Sequence, residues 1–129
     1  MTLDLTLLIW STGLFGLYIG VQALLYRMQH GVEYAATGRD GEPAPNVMTA
    51  RGNKALRNLL ETYPVFAVLM VANLLLPEPD VLTTWGAVVY LSARMAYLPL
   101  YISGVQYIRS LIWSVGAAGQ IAMFIGVAF

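Results

Sequence analysis

Cysteine is absent from the 129 residues, histidine occurs once, and charged side chains make up only 11% of the chain. Without cysteine there is no disulfide framework, no thiolate metal site and no cysteine nucleophile, so any thiol chemistry has to use a substrate's thiol. A single histidine makes no metal site, and no Ser-His-Asp group, paired carboxylates or glycine-rich phosphate loop is present. Seven Lys+Arg balance seven Asp+Glu to zero net charge, with a pI near 6.5, which leaves no electrostatic footprint for nucleic acid. Soluble chains carry about 25% charged residues. Less than half of that, with 58% hydrophobic residues and a mean hydropathy of +0.65, points to lipid as the solvent.

Four apolar stretches of spanning length are present, at about Leu5–Tyr26, Leu59–Leu76 with a polar run-in from Arg51, Val81–Tyr101 and Ile108–Phe129. The chain therefore reads as one all-α integral membrane domain, 1–129, a bundle of four transmembrane helices at about 4–27, 49–76, 81–102 and 107–129. The first stretch opens on Asp4 rather than on a basic region, so it is expected to stay as the first span and not to be a cleavable signal. Pro77-Glu78-Pro79-Asp80 is a tight turn, and Gln29–Asn46, with three glycines and two prolines, is the one sizeable loop. Arg27, Arg39, Arg51, Lys54, Arg57, Arg94 and Arg109 all lie toward the side where the first span ends, while the other side shows only Asp4, Glu78 and Asp80. Basic flanks stay cytoplasmic, so that loop is expected in the cytosol and both termini outside it.

An ionisable group on a membrane helix costs about 2.5–3.5 kcal/mol at the bilayer centre, so each needs a reason. At near 100° per residue, Arg51, Lys54, Asn58 and Glu61 form one stripe on the second span. Tyr90, Arg94, Tyr97 and Tyr101 share a face of the third, and Arg109, Trp113, Gly116 and Gln120 a face of the fourth. Arg27, Arg39 and Arg57 read first as interfacial anchors, and His30 as a lone loop histidine. An internal salt-bridge network would account for Glu61 with Arg94 and Arg109, but two arginines against one carboxylate leave positive charge over. That surplus asks for an anionic ligand.

The runs Arg51-Gly-Asn-Lys-Ala-Leu-Arg-Asn58-Leu-Leu-Glu61-Thr-Tyr-Pro64, Arg94-Met-Ala-Tyr97-Leu-Pro-Leu-Tyr101 and Arg109-Ser110 resemble the MAPEG family, membrane-associated proteins in eicosanoid and glutathione metabolism. The resemblance covers almost the whole chain and looks closest to short bacterial members, which implies a bacterial inner membrane. It implies a homotrimer with glutathione, as co-substrate, held between subunits near the cytoplasmic side. Asn58 and Glu61 would bind the glutathione backbone and amino group, and Arg94, Tyr97 and Tyr101 would hold the tripeptide. Lys54, with Arg27 or Arg51, would meet a carboxylate. Arg109 would face the sulfur, with Ser110 as a second donor. Lys54 stands where family members commonly have arginine, and Thr62 where an aromatic or aliphatic residue is frequent.

The expected function is that of a membrane glutathione transferase or peroxidase-like enzyme presenting the thiolate to a lipophilic electrophile from the surrounding lipid, with no metal and no nucleic-acid partner. The alternative is a noncatalytic membrane subunit or a lipid- or anion-binding scaffold of the same architecture. A transporter is a weaker reading, since no broken-helix pair recurs in the two halves.

Overall fold

The computed structural model describes every residue, Met1–Phe129. Five helices and no strands make up the fold: α1 Leu3–His30, the short α2 Val32–Ala35, α3 Val47–Leu75, α4 Val81–Ile102 and α5 Tyr107–Ala128. Three starts follow from small polar residues whose side chains take up an orphan N–H of the first turn. Thr2 Oγ1 accepts from Leu5 N at 3.2 Å, Asn46 Oδ1 from Thr49 N at 2.9 Å, and Asp80 Oδ1 from Thr83 N at 2.8 Å. Gly31 ends α1 with a φ of 90°, a conformation a side chain would strain. Pro64 and Pro99 sit inside α3 and α4 without ending them.

α4 lies at the centre of the packing. It contacts α1, α3 and α5, most extensively α5. Gly86 of α4 and Gly119 of α5 meet backbone to backbone, so close that a Cβ on Gly119 would stand 2.7 Å from the Gly86 carbonyl oxygen. Small residues permit this approach, which gains dispersion contacts where lipid offers no hydrophobic driving force between helices. Phe66, Met70, Ala87, Tyr90, Leu91 and Met123 form one core cluster, and Tyr18, Ala55, Leu59 and Leu98 a second. The outer surface is apolar, with Trp10, Leu17, Leu75, Trp85 and Ile121 all exposed.

α1, α3 and α5 are long and apolar enough to cross a membrane. The count by hydropathy is thus three, against the four spans read from the sequence. α4 is as long as α5, but Arg94, two threonines and three tyrosines lower its hydropathy. Those polar groups are tolerated because so many of them turn into the bundle, where Thr83, Tyr90, Arg94 and Tyr97 are buried.

Two segments differ from the sequence expectation. His30 is the last residue of α1, not part of a loop, and its ring lies 4.4 Å from that of Tyr26 and 5.6 Å from that of Tyr34. The segment that follows is tied back rather than loose. Tyr26 donates to Glu42, Gln29 Nε2 donates to Ala44 O, and Arg39 Cζ lies 4.1 Å over the Tyr26 ring. At the opposite end Asp4, which the sequence places only on the non-cytoplasmic side, is 5% exposed. Its Oδ1 accepts from Asn73 Nδ2 at 2.9 Å and Thr84 Oγ1 at 2.6 Å, joining α1, α3 and α4.

Candidate functional site

The polar stripes of α3, α4 and α5 converge at the end of the bundle where α3 starts, α4 ends and α5 starts. Two cavities open there. One, of about 320 Å³, is lined by Asn58, Tyr97, Tyr101, Arg109, Ser110, Trp113 and Ser114. The other, of about 310 Å³, is lined by Arg51, Lys54, Tyr101, Gly104, Gln106 and Arg109 among others. Tyr101 and Arg109 line both, and the Arg109 guanidinium stacks 4.4 Å over the Tyr101 ring. Each cavity has the size of a small-ligand pocket, roughly 300–1,000 Å³.

Local structure explains this placement. Arg109 and Ser110 lie in the first turn of α5, whose N-cap Gln106 offers no side-chain hydrogen bond, so free N–H groups and the positive end of the helix dipole face the same region. Gly104, with φ of 81°, lets the chain turn between α4 and α5. Arg51 Nη1 donates to Ile102 O at 3.0 Å, which caps the end of α4 and holds this turn against α3. No hydrogen bond within the chain engages the Arg109 guanidinium, which leaves its five N–H donors for a ligand.

Seven expected site residues, Arg51, Lys54, Asn58, Tyr97, Tyr101, Arg109 and Ser110, thus come together around the two cavities. Arg27, Glu61 and Arg94 do not. Arg27 is exposed and donates to Ala23 O of its own helix at 3.1 Å. Glu61 is exposed on α3. Arg94 is 2% exposed and points into the bundle, where Nη1 donates to Asn58 Oδ1 at 2.8 Å and Nη2 to Thr62 Oγ1 at 3.1 Å. Both of those partners are neutral, so Arg94 and Glu61 do not form the salt bridge that the sequence offered as an alternative to a ligand site.

Sequence reasoning passed over Thr62 as a binding element. Its hydroxyl meets Arg94 and, at 2.8 Å, the Tyr90 hydroxyl, and its carbonyl accepts from Gln120 Nε2 at 2.7 Å. Thr62 stands four residues beyond Asn58, one turn along the same face, and that spacing was the available signal. Ser114 was likewise missed, one turn beyond Ser110.

Fold and site together define a class: an all-helical integral membrane protein with a cationic, phenol-lined cavity at one end of its bundle. Residues 7–129, essentially the whole chain, match the MAPEG family, and the chain belongs to that family. It is thereby a member of a membrane family of glutathione-related transferases and peroxidases. Neither a curated protein nor a solved structure matches it.

Proposed function

We propose that this protein is a glutathione transferase or peroxidase-like enzyme of the bacterial inner membrane, in which Arg109 stabilises the glutathione thiolate for attack on a lipophilic electrophile. The observation that carries the reading is the Arg109 guanidinium, free of internal partners between two cavities and backed by the Tyr101 ring. Glutathione carries two carboxylates and one ammonium, and Arg51 and Lys54 around the second cavity complement its carboxylates while Arg109 is left for the sulfur. A thiol of pKa near 8.5 is mostly protonated at neutral pH, and lowering it by about 2 units takes roughly 2.7 kcal/mol of preferential thiolate stabilisation. One charge-assisted hydrogen bond, worth about 1.5–3 kcal/mol, supplies this at the upper end of its range, and Ser110 Oγ offers a second donor. The protein contributes position and electrostatics rather than a covalent nucleophile.

The working form is a homotrimer in which all four long helices span the membrane, with both termini outside the cytosol. Lys54 and Glu61 are exposed on α3 in the single chain, and a neighbouring subunit packed there would enclose the site and give Glu61 the glutathione ammonium. Arg27, exposed at the end of α1, would reach a carboxylate across the same interface. The test is glutathione binding and conjugation to a chromogenic aryl halide by the purified protein, with Arg109→Ala as control. Loss of turnover in an intact trimer is the expected result, and unchanged turnover refutes the assignment. A protein that binds no glutathione yet carries phospholipid or a partner complex through purification is instead the noncatalytic scaffold.

A further inference from the structure

The chemistry of the Arg94 contact carries a conclusion about what the neighbouring cavity recognises. A guanidinium has donors and no acceptor, so the atom of Asn58 that meets Arg94 Nη1 at 2.8 Å has to be the amide oxygen. The amide is therefore turned with its NH₂ away from Arg94. Asn58 lines the cavity of Tyr97, Tyr101 and Arg109, and its Nδ2 makes no hydrogen bond within the chain. Nor is that nitrogen a buried orphan, since the only buried side-chain nitrogen or oxygen without a partner is Arg94 Nε.

Arg94 itself does not line the cavity and meets no carboxylate. Its charge is met by Asn58 Oδ1, Thr62 Oγ1 and the rings of Tyr97 at 5.0 Å and Tyr90 at 5.6 Å. Thr62 holds the second nitrogen, and Tyr90 and Gln120 hold Thr62. Arg94 on α4 is thus held by Asn58 and Thr62 of α3, Thr62 in turn by Tyr90 of α4 and Gln120 of α5, so a turn of the guanidinium breaks contacts between helices.

We propose that Arg94 is a positioning residue. It locks Asn58 as an obligate donor, so that this point of the site accepts a carbonyl, carboxylate or thiolate of the bound thiol peptide and rejects a donor there. Thr62 sets the guanidinium that does so. The proposal deepens the glutathione reading and rests on it only for the identity of the ligand.

Asn58→Asp, Asn58→Leu, Thr62→Val and Thr62→Ser in the full-length protein test it, by thermal melting without ligand and by glutathione titration calorimetry. Asp in place of Asn58 keeps an oxygen on Arg94 and adds the missing counter-charge, so it melts at or above the wild type, while Asn58→Leu melts lower. Glutathione affinity falls at least tenfold in Asn58→Asp, because both its oxygens are acceptors. It falls in Thr62→Val and returns in Thr62→Ser. Asn58→Asp melting as low as Asn58→Leu overturns the proposal, as does wild-type glutathione affinity in Asn58→Asp. If the wild type binds no glutathione the enzyme reading fails by itself, and the melting comparison still decides whether Arg94 holds the amide oxygen.

Discussion

Replacing Gly119 by alanine puts a methyl group where α4 and α5 have no room. The new Cβ would lie 2.7 Å from Gly86 O and 2.9 Å from Tyr90 N, both backbone atoms that no rotamer change can move aside. Overpacking of this kind costs about 1–3 kcal/mol, against which the better helix propensity of alanine returns about 1 kcal/mol. Because both contacts fall below 3.0 Å and are with backbone, the upper part of that range applies, and the net loss of about 1–2 kcal/mol corresponds to a fall in Tm of roughly 4–10 °C for a chain of this size. Gly116, one turn earlier on the same helix, is the internal control. A Cβ there would meet Ala93 Cβ at 3.4 Å and Tyr90 Cδ2 at 3.9 Å, ordinary contact, so Gly116→Ala keeps or raises the Tm by up to roughly 5 °C. The consequence reaches the site, because α4 carries Tyr97 and Tyr101 and α5 carries Arg109. Forcing the helices apart at Gly119 tilts the wall that holds the 4.4 Å stack of Arg109 on Tyr101, and glutathione affinity falls with the Tm. Thermal melting of the two purified variants and calorimetric titration check both effects. A Gly119→Ala protein with the wild-type Tm, or a Gly116→Ala protein that is the less stable of the two, refutes the packing.

Arg109→Gln removes the charge-assisted bond to the thiolate and lowers kcat/KM about 10–100-fold, with the pH profile of conjugation displaced upward, as steady-state kinetics across pH will record. Asn73→Leu leaves the buried Asp4 carboxylate short of a donor and the Asp80 N–H, now 2.8 Å from Asn73 Oδ1, without an acceptor; a loss of about 3 kcal/mol should appear as a large drop in Tm. Gln29→Leu frees the segment after α1 from its ties to Ala44 O and Asn46 N, and cleavage after Arg39 by trypsin accelerates several-fold while the Tm hardly changes. With no native cysteine, single Gly38→Cys and Glu78→Cys variants report topology cleanly: a membrane-impermeant maleimide applied to intact cells labels Glu78→Cys and spares Gly38→Cys. The reverse pattern inverts the orientation.

What the sequence determined by itself are the properties that depend on composition and on one helix at a time. Lipid as solvent follows from the scarcity of charge, and the segregation of Arg27 through Arg109 to one side sets the expected orientation. Helical spacing assigned Asn58 to one stripe, Tyr97 and Tyr101 to a second, and Arg109 to a third, and those residues meet around shared cavities. Spacing names the face of a helix, however, and not what covers that face. Only the tertiary structure decided that Arg94, from the same stripe as Tyr97, turns inward onto neutral oxygens while Glu61 remains exposed. It likewise decided that Asp4 is buried and that Thr62 links three helices. A buried polar group is satisfied by partners that come from other helices, and which partner arrives depends on how closely those helices approach. Between α4 and α5 that approach is set by Gly86 against Gly119, and spacing along either helix alone does not name the glycine that the other presents.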